Sequence, residues 1–225
     1  MPPTRRLFLT AATRWLLGLV VLGAVFFLPA GTLHYWQAWA YLAVLFIPMT
    51  LVLAYLLRRD PALLERRLKA KEAAPEQRTA VALSGVAIIA SLLVAAFDRR
   101  FGWSQVPVPV VVVGLALVLL SYGSFFLVMR ENSFASRVIE VAEGQSVIST
   151  GPYAVVRHPM YVATNVMFLA TPVALGSWWG LVPAALVLPG MVLRILDEER
   201  QMGAGLPGYR EYCEKVRYRQ LPGIW

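Results

Sequence analysis

The residue types best suited to chemistry lie in the last third of the chain, where the first group is Arg157-His158-Pro159-Met160-Tyr161. Pro159 biases the preceding residue toward an extended backbone and fits the first turn of a helix, so His158 is expected at a helix N-terminus. Free N–H groups and the helix dipole attract anions there, and Arg157 adds positive charge. Tyr161, about one turn into the helix, can project toward the same place. The alternative is that Arg157 and His158 only mark the membrane surface.

A second group, Asp197-Glu198-Glu199, follows the last apolar run and is predicted to place three acids at the C-terminal end of a helix. Negative charge is unfavourable at that end of the helix dipole, so it calls for compensation. Arg194 precedes Glu198 by four residues and shares its helix face, so a local pair can supply it. A cationic group on a bound ligand is the alternative source of compensating positive charge.

A short connection around Gly176 and Ser177 joins the two apolar runs that carry these groups, which predicts an antiparallel helical hairpin. The hairpin returns the acids to the membrane face where Arg157 and His158 begin the first helix. One site there would offer an anion-binding helix start, carboxylates for an ammonium or ribose hydroxyls, and tyrosines for a cation or purine. S-adenosylmethionine carries all of these partner groups together with a sulfonium.

The elements that position these groups are predicted to be membrane helices. Of the 225 residues, 58% are hydrophobic and 15% charged, and the mean hydropathy is +0.61, values typical of a lipid-embedded chain. Long apolar runs without period-two alternation satisfy their backbone groups only as helices, so the predicted fold class is all-α, polytopic and integral to the membrane. Six spans are predicted, near residues 15–32, 36–57, 79–97, 106–129, 159–175 and 178–196.

The distribution of charge predicts the orientation of these spans. With six spans, Arg99 and Arg100 stand on one side and every other Lys and Arg on the other, which places both termini and the candidate site in the cytoplasm. The net charge of +8 does not indicate nucleic-acid binding, because the basic residues separate apolar runs.

With Cys213 as the single cysteine, an internal disulfide and a Cys-based zinc site are excluded, and no metal site is predicted.

The chain from about Arg130 to Trp225 resembles the isoprenylcysteine carboxyl methyltransferases and their bacterial and phospholipid methyltransferase relatives. The matching pieces are Gly151-Pro152-Tyr153, the group from Arg157 to Tyr161, Arg194-Ile195 with Glu198-Glu199, and Tyr209-x-x-Tyr212 with Pro222. The sequence departs from the family pattern at Leu206-Pro207-Gly208, where a Phe-Gly pair is expected before the tyrosine.

This resemblance implies an S-adenosylmethionine-dependent methyltransferase. It implies that the cofactor is surrounded by Tyr153, Arg157, His158, Tyr161, Glu198, Glu199, Tyr209 and Tyr212. The residues implied in catalysis are Arg194, Glu198 and His158, with Arg194 facing the methyl acceptor. The chain is then predicted to divide at 129/130 into a four-helix scaffold and a methyltransferase region. The scaffold, 1–129, includes a basic surface segment at 58–78 that contacts membrane lipid, and the region 130–225 contains the hairpin 159–196 and a C-terminal cap.

Methyl transfer from a sulfonium is an in-line displacement, so the protein mainly holds the reactants in line and excludes water. The predicted acceptor is a lipophilic small molecule or a prenylated one that carries a carboxylate or another nucleophile. A carboxylate is already ionised at neutral pH, whereas an amine must first lose a proton, which His158 would take. The acceptor's identity and the oligomeric state stay open.

Two other classes of function remain as alternatives. An NADPH-dependent membrane reductase of the sterol or steroid type would use Arg157, Arg194, Arg217 and Arg219 to hold phosphates. The paired acids Glu198 and Glu199 suit a cationic cofactor better than such a polyanionic one. A non-catalytic membrane scaffold is the second alternative.

Overall fold

The computed structural model describes residues 3–68, 75–132, 134 and 144–225, and within these residues it contains helices and no strand. The predicted all-α class is therefore confirmed. The α-helices are α1 (Pro3–Ala30), α2 (Trp36–Arg59), α3 (Pro61–Leu68), α4 (Pro75–Phe101), α5 (Val108–Glu131), α6 (Pro159–Ala174), α7 (Leu181–Ala185), α8 (Val187–Gly205) and α9 (Tyr209–Lys215). A short 3-10 helix, Gly151–Ala154, leads into α6.

Four of these helices contain segments long and apolar enough to cross a membrane, as the sequence predicts for the first four runs. The segments are Arg6–Ala30, Trp36–Arg59, Val81–Phe101 and Val108–Glu131. Large apolar side chains point outward from them, including Leu28, Leu51, Val86 and Leu120, each at least 66% exposed. An exposed apolar surface of this extent suits lipid rather than water as the surrounding solvent.

The last two predicted spans differ from the expectation. Helix α6 has 16 residues and rises about 24 Å, which is shorter than a hydrocarbon core of about 30 Å. The predicted continuous helix over 178–196 is wrong, because the chain forms α7 and α8 with a turn at Leu186. Pro189 has no N–H to bond the Ala185 carbonyl, so the helical ladder is interrupted just before it. The predicted count of six spans is not confirmed.

Helix α8 also corrects the expected position of the acids. It continues past Asp197, Glu198 and Glu199 to Gly205, so these residues lie inside the helix rather than at its C-terminal end. The extension packs on the C-terminal part of the chain, where the Met202 side chain is buried against Tyr209 and Tyr212. Because the acids lie more than a turn from the helix end, the dipole penalises them less than predicted.

Buried polar bonds hold the turn between α6 and α7 at the end of the bundle opposite the acids. The Asp98 carboxylate, 1% exposed, accepts bonds from the Ser104 N–H at 2.7 Å and from the Ser104 and Ser177 hydroxyls at 2.5 Å each. The Tyr35 hydroxyl donates to the Leu175 carbonyl at 2.6 Å. These bonds tie the turn to α4 and to the start of α2, so they fix where the hairpin stands in the bundle.

A close backbone approach joins the scaffold to the hairpin, where α5 packs along α6. A Cβ added at Gly114 of α5 would lie 2.8 Å from the backbone nitrogen of Ala174. Small residues permit such contacts between membrane helices, which gain little from the hydrophobic effect once both lie in lipid. The interface crosses the predicted boundary at 129/130, and that division of the chain stays a prediction.

Helix α3 lies within the basic segment predicted at 58–78, of which 69–74 lie outside the described residues. Leu63 and Leu64 are buried in a cluster that includes Leu56 of α2, Met129 of α5 and Met160 of α6. The Asp60 carboxylate caps α3 by accepting the Leu63 N–H at 2.9 Å. Helix α3 therefore lies at the same end of the bundle as the start of α6. Its predicted contact with membrane lipid stays a prediction.

We predict that Gly114→Ala destabilises the bundle by about 1–3 kcal/mol, the usual cost of overpacking, because the new methyl group meets backbone that cannot rotate away. Thermal unfolding of the detergent-solubilised protein, followed by tryptophan fluorescence, measures it. Gly85→Ala in α4 is the matched control, since a Cβ there meets nothing within 4 Å and alanine favours helix. Equal melting temperatures for the two variants would contradict the proposed packing.

Candidate functional site

The candidate site lies where the start of α6, the last third of α8 and the residues after α9 meet. At its centre the Glu199 carboxylate accepts hydrogen bonds from three cationic or ionisable side chains. Arg157 Nε donates to Glu199 Oε1 at 2.8 Å, His158 Nε2 lies 3.1 Å from the same oxygen, and Arg219 Nε donates to Oε2 at 2.8 Å. The side chains of Glu199, Arg157 and His158 are 13%, 7% and 4% exposed.

Arg157 and His158 also hold the segment 216–220, called here the C-terminal strap, against the start of α6. The Arg157 Nη1 atom donates to the carbonyl oxygens of Val216 and Arg217, each at 2.9 Å. The backbone N–H groups of Arg157 and His158 donate to the carbonyl oxygens of Tyr218 and Arg219, also at 2.9 Å. The buried arginine therefore connects three parts of the chain that are distant in sequence.

The three donors determine the ionisation of Glu199. Burial favours its neutral form, but the bonds from His158, Arg219 and Arg157 outweigh that effect and lower the pKa of the carboxyl from 4.5 to about 2. The carboxylate is therefore ionised throughout the physiological pH range.

A second group of side chains meets at the Tyr161 hydroxyl. This hydroxyl lies within electrostatic reach of both the Glu198 carboxylate and the Arg194 guanidinium. Arg194 is 8% exposed, and the Tyr161 ring lies 5.7 Å from the His158 ring in an edge-to-face arrangement. The structure thus brings all three residues implied in catalysis, Arg194, Glu198 and His158, around one tyrosine.

The remaining predicted tyrosines form the aromatic side of the site. Tyr209 and Tyr212 are buried with ring centroids 5.9 Å apart, and Tyr153 packs against the same cluster. The Tyr212 hydroxyl donates to the Tyr153 carbonyl at 2.8 Å, and Asn132 Nδ2 donates to the Tyr153 hydroxyl at 3.1 Å. Burial raises the pKa of Tyr153 to about 12 and raises that of Tyr209 as well, so both are neutral hydrogen-bond donors at neutral pH.

The structure shows how Leu206-Pro207-Gly208 replaces the Phe-Gly pair expected from the family pattern. Leu206 is buried in the cluster with Tyr209 and Tyr212, where it supplies the apolar contact. Gly208 adopts a φ of +81°, a left-handed conformation that favours glycine and that allows α9 to begin at Tyr209. The chain therefore reaches the site despite the missing aromatic residue.

Several residues near the site were not assigned to it from the sequence. Arg219 was considered only as a phosphate ligand in the reductase alternative, yet it is one of the three donors to Glu199. Asn165 Nδ2 donates to Gln220 Oε1 at 3.1 Å, which joins α6 to the C-terminal strap. The Oδ1 atom of Asn165 and the Nε2 atom of Gln220 are buried and have no hydrogen-bond partner within the described part of the chain. Neither the side-chain types of Asn165 and Gln220 nor their separation in the sequence predicts this contact.

Comparison with known families supports the family resemblance. Residues 109–204 match the family model described as phospholipid methyltransferase. The matched segment runs from α5 through most of α8 and includes both charged groups, whereas α1 to α4 and the residues from Gly205 onward lie outside it. The resemblance predicted from the motifs is thereby confirmed, and the reductase alternative is not favoured. No curated protein gives a significant match to the chain.

We predict that Glu199→Gln loosens the C-terminal strap, because two guanidinium groups then lose their anionic partner in a buried place, at a cost of about 3–5 kcal/mol. Hydrogen exchange measured by mass spectrometry should show faster exchange in peptides that contain 216–220. Glu214→Gln, an exposed substitution in α9, should leave that exchange unchanged. Unaltered exchange in Glu199→Gln would show that the strap does not depend on this carboxylate.

The lowered pKa of Glu199 also predicts a pH dependence. Its contribution to stability is fully present above pH 4.5, the usual pKa of the group, and is lost as the pH falls through the folded value of about 2. Melting temperatures recorded between pH 6 and pH 2 should fall more steeply for the natural protein than for Glu199→Gln. Parallel curves for the two proteins would contradict the assignment.

Proposed function

We propose that this chain, whose residues 109–204 match the phospholipid methyltransferase family, transfers a methyl group from S-adenosylmethionine to a lipophilic acceptor at the membrane. The observation that carries the proposal is the meeting of Glu198, Tyr161 and Arg194 inside the matched segment, at one end of an apolar helical bundle. The acceptor would carry a carboxylate, as in prenylcysteine, or another nucleophile.

The orientation of the chain forms part of the proposal. The end of α2, the end of α5 and the start of α6 lie at the end of the bundle that holds the site, together with α3. Arg99 and Arg100 lie at the opposite end, near the turn between α6 and α7. The positive-inside rule therefore supports a multi-pass protein with the site and both termini in the cytoplasm, where a water-soluble methyl donor is available.

The residues of the site fit the chemical groups of S-adenosylmethionine, which members of this family generally use. Bound there, the cofactor would supply an electrophilic methyl group. Glu198 would accept hydrogen bonds from an ammonium or from ribose hydroxyls, and Tyr153, Tyr209 and Tyr212 would contact the cationic or purine part. The unpartnered atoms of Asn165 and Gln220 also suit a nucleoside, since they offer one acceptor and one donor.

Arg157 and Glu199 act on the shape of the site through the bonds that they make within the protein. They hold the C-terminal strap against α6 and so close one side of the site, which would exclude water from the reacting groups. Direct contact of either residue with the cofactor stays a prediction. Tyr161 lies beside Arg194 and Glu198, and the guanidinium would orient an anionic or polar acceptor.

His158 has the geometry of an oriented base. Its Nε2 faces Glu199, so in the neutral form with the proton on Nε2 the Nδ1 atom carries the lone pair. An amine acceptor would transfer its proton to that atom, and Glu199 would stabilise the resulting imidazolium. A carboxylate acceptor would need no base, and His158 would then only complete the packing around Tyr161.

We predict that Glu198→Gln lowers methyl transfer at least about tenfold through loss of a charge-assisted contact to the cofactor. His158→Ala lowers it by about 10²–10⁴-fold when the acceptor is an amine, the usual range for loss of a catalytic base. The assay follows labelled methyl groups from S-adenosylmethionine into a total membrane-lipid extract and into a prenylcysteine analogue. Membrane insertion should stay that of the natural protein, and the melting temperature should stay near it in Glu198→Gln and fall in His158→Ala, because Glu199 then loses one of its donors. Glu214→Gln should retain full activity. A small effect of His158→Ala with a large effect of Glu198→Gln would assign the acceptor as an ionised carboxylate.

If the natural protein is folded and transfers no label to either acceptor preparation, the methyltransferase assignment fails. Full activity in both Glu198→Gln and His158→Ala would move the reaction away from the site described above.

A further inference from the structure

An exposed apolar segment follows the C-terminal strap, formed by residues 221–225 and called here the hook. Ile224 is 79% exposed, the highest fraction among the large apolar side chains of the described residues, and Leu221 is 52% exposed. Tyr218, in the strap itself, is 39% exposed. These side chains lie outside the four candidate spans, so the lipid around those spans does not by itself account for them. An apolar surface in such a place indicates contact with a partner.

The strap leads the chain along α6 toward the inside of the bundle. The backbone N–H groups of Arg157 and His158 bond the middle of the strap, and the Asn165 side chain bonds Gln220 at its end. Asn165 lies seven residues after His158, a separation of about 10 Å along a helix axis. The end of the strap therefore reaches the second turn of α6, and the hook follows directly.

The packing of α6 shows where this level lies relative to the membrane. Met160, in the first turn of α6, shares a cluster with Leu56 of α2 and Met129 of α5. Both partners belong to the last turn of candidate spans, which end at Arg59 and Glu131. A span of 24 residues rises about 36 Å, slightly more than a hydrocarbon core of about 30 Å, so its last turn lies at the boundary with the headgroups. The hook, beside the first turns of α6, stands at that boundary.

The backbone of the hook is folded so that most of its N–H groups are bonded. The Trp225 oxygen accepts the N–H groups of Arg219, Gln220 and Leu221 at 2.9–3.1 Å. The Leu221 carbonyl accepts the N–H groups of Ile224 and Trp225 at 3.0 and 3.1 Å. Unbonded N–H groups are costly near hydrocarbon, and irregular chain is not tolerated in contact with lipid inside the core. A compact, internally bonded turn therefore suits the boundary region.

We propose that the hook inserts into the interface of the bilayer, with Leu221 and Ile224 among the upper parts of the acyl chains. The rings of Tyr218 and Trp225 lie at the level of the headgroups, where aromatic side chains with a polar atom are most stable. The partner of this apolar surface is the lipid of the surrounding membrane rather than a soluble protein, because the surface stands at the level of the span ends. The inference does not depend on methyl transfer.

Insertion of the hook would also support the candidate site. The Arg219 guanidinium lies over the Trp225 ring, 5.3 Å from its centroid, and Arg219 Nε donates to Glu199 Oε2 at 2.8 Å. A hook held in the interface keeps Trp225 in place, and Trp225 in turn keeps Arg219 directed at the buried carboxylate. The bilayer thus becomes part of what holds the strap against α6.

Spin labels on single cysteines test the position of the hook in the membrane. In a Cys213→Ser background, which removes the only natural cysteine, Ile224→Cys carries the label in the hook. Glu214→Cys, exposed on α9, is the control in water, and Leu120→Cys, 66% exposed on α5, is the control in lipid. The proteins are reconstituted in phosphatidylcholine vesicles, and collisions of each label with oxygen and with a water-soluble nickel chelate are measured.

The ratio of oxygen to chelate collisions should be high at Leu120→Cys, low at Glu214→Cys and close to the lipid control at Ile224→Cys, because oxygen concentrates in the bilayer and the chelate stays in water. A ratio at Ile224→Cys that equals the one at Glu214→Cys would overturn the proposal. Low collision rates with both reagents, together with dipolar broadening between labels, would overturn it as well, since a second copy of the chain would then cover the hook.

Hydrogen exchange in the same vesicles tests the link between the hook and the site. Ile224→Glu places a charge at the boundary, so exchange should become several-fold faster in peptides that contain the strap and end before residue 224. Ile224→Leu keeps the apolar contact and should leave this exchange unchanged. Equal exchange in Ile224→Glu and in the natural protein would overturn the claim that lipid contact of the hook holds the strap.

Discussion

The Glu199 carboxylate is the constraint on which the rest of the site depends. It must stay ionised in a place that is largely closed to water, which is unfavourable unless strong donors face both of its oxygens. Arg157, His158 and Arg219 supply them at 2.8–3.1 Å. The donors come from the start of α6 and from the C-terminal strap, whereas the acceptor belongs to α8. One buried charge therefore selects the relative placement of three segments, and removal of any partner leaves an uncompensated charge.

The bundle gives that arrangement a fixed frame. Helices that lie in lipid gain little from hydrophobic burial against one another, so close packing and polar ties decide how they associate. Gly114 lets α5 approach the backbone of α6, and Asp98 fixes the far turn of the hairpin through Ser104 and Ser177. These contacts tie the turn end of the hairpin and the Glu199 cluster ties the other end, so the Glu198, Tyr161 and Arg194 group keeps its place beside His158. The catalytic chemistry proposed here needs positioning more than acid strength, and these ties supply it.

The sequence predicts those features of the fold that depend on the length of its apolar runs. The helical class and the first four runs follow from hydropathy, and the short connection at Gly176 and Ser177 correctly places the two charged groups at one end. The break at Leu186 was not predicted, although Pro189 marks it, because proline inside membrane helices is often tolerated. The extension of α8 to Gly205 depends on burial of Met202 against the cap, a tertiary contact without a local signal.

The sequence predicts which residues belong to the site better than it predicts which of them bind each other. Every predicted site residue lies in the described region near Glu199 or Tyr161, but the sequence does not show which side chains bind each other. Arg157 and Glu199 were predicted as ligands of a cofactor, whereas the hydrogen bonds found for them are to each other, to His158, to Arg219 and to the strap. Arg219 is separated from Glu199 by 20 residues and by α9, so neither helical spacing nor a motif relates them. Such pairings follow from the path of the chain after α9, which composition and periodicity do not specify.

If this end of the bundle is built for a cationic methyl donor, the detergent-purified protein should bind S-adenosylmethionine in preference to NADPH at equilibrium. We expect saturable binding of S-adenosylmethionine that Glu198→Gln weakens at least tenfold, as loss of a charge-assisted contact would, together with no competing binding of NADPH. Tight binding of NADPH, with none of S-adenosylmethionine, would contradict it.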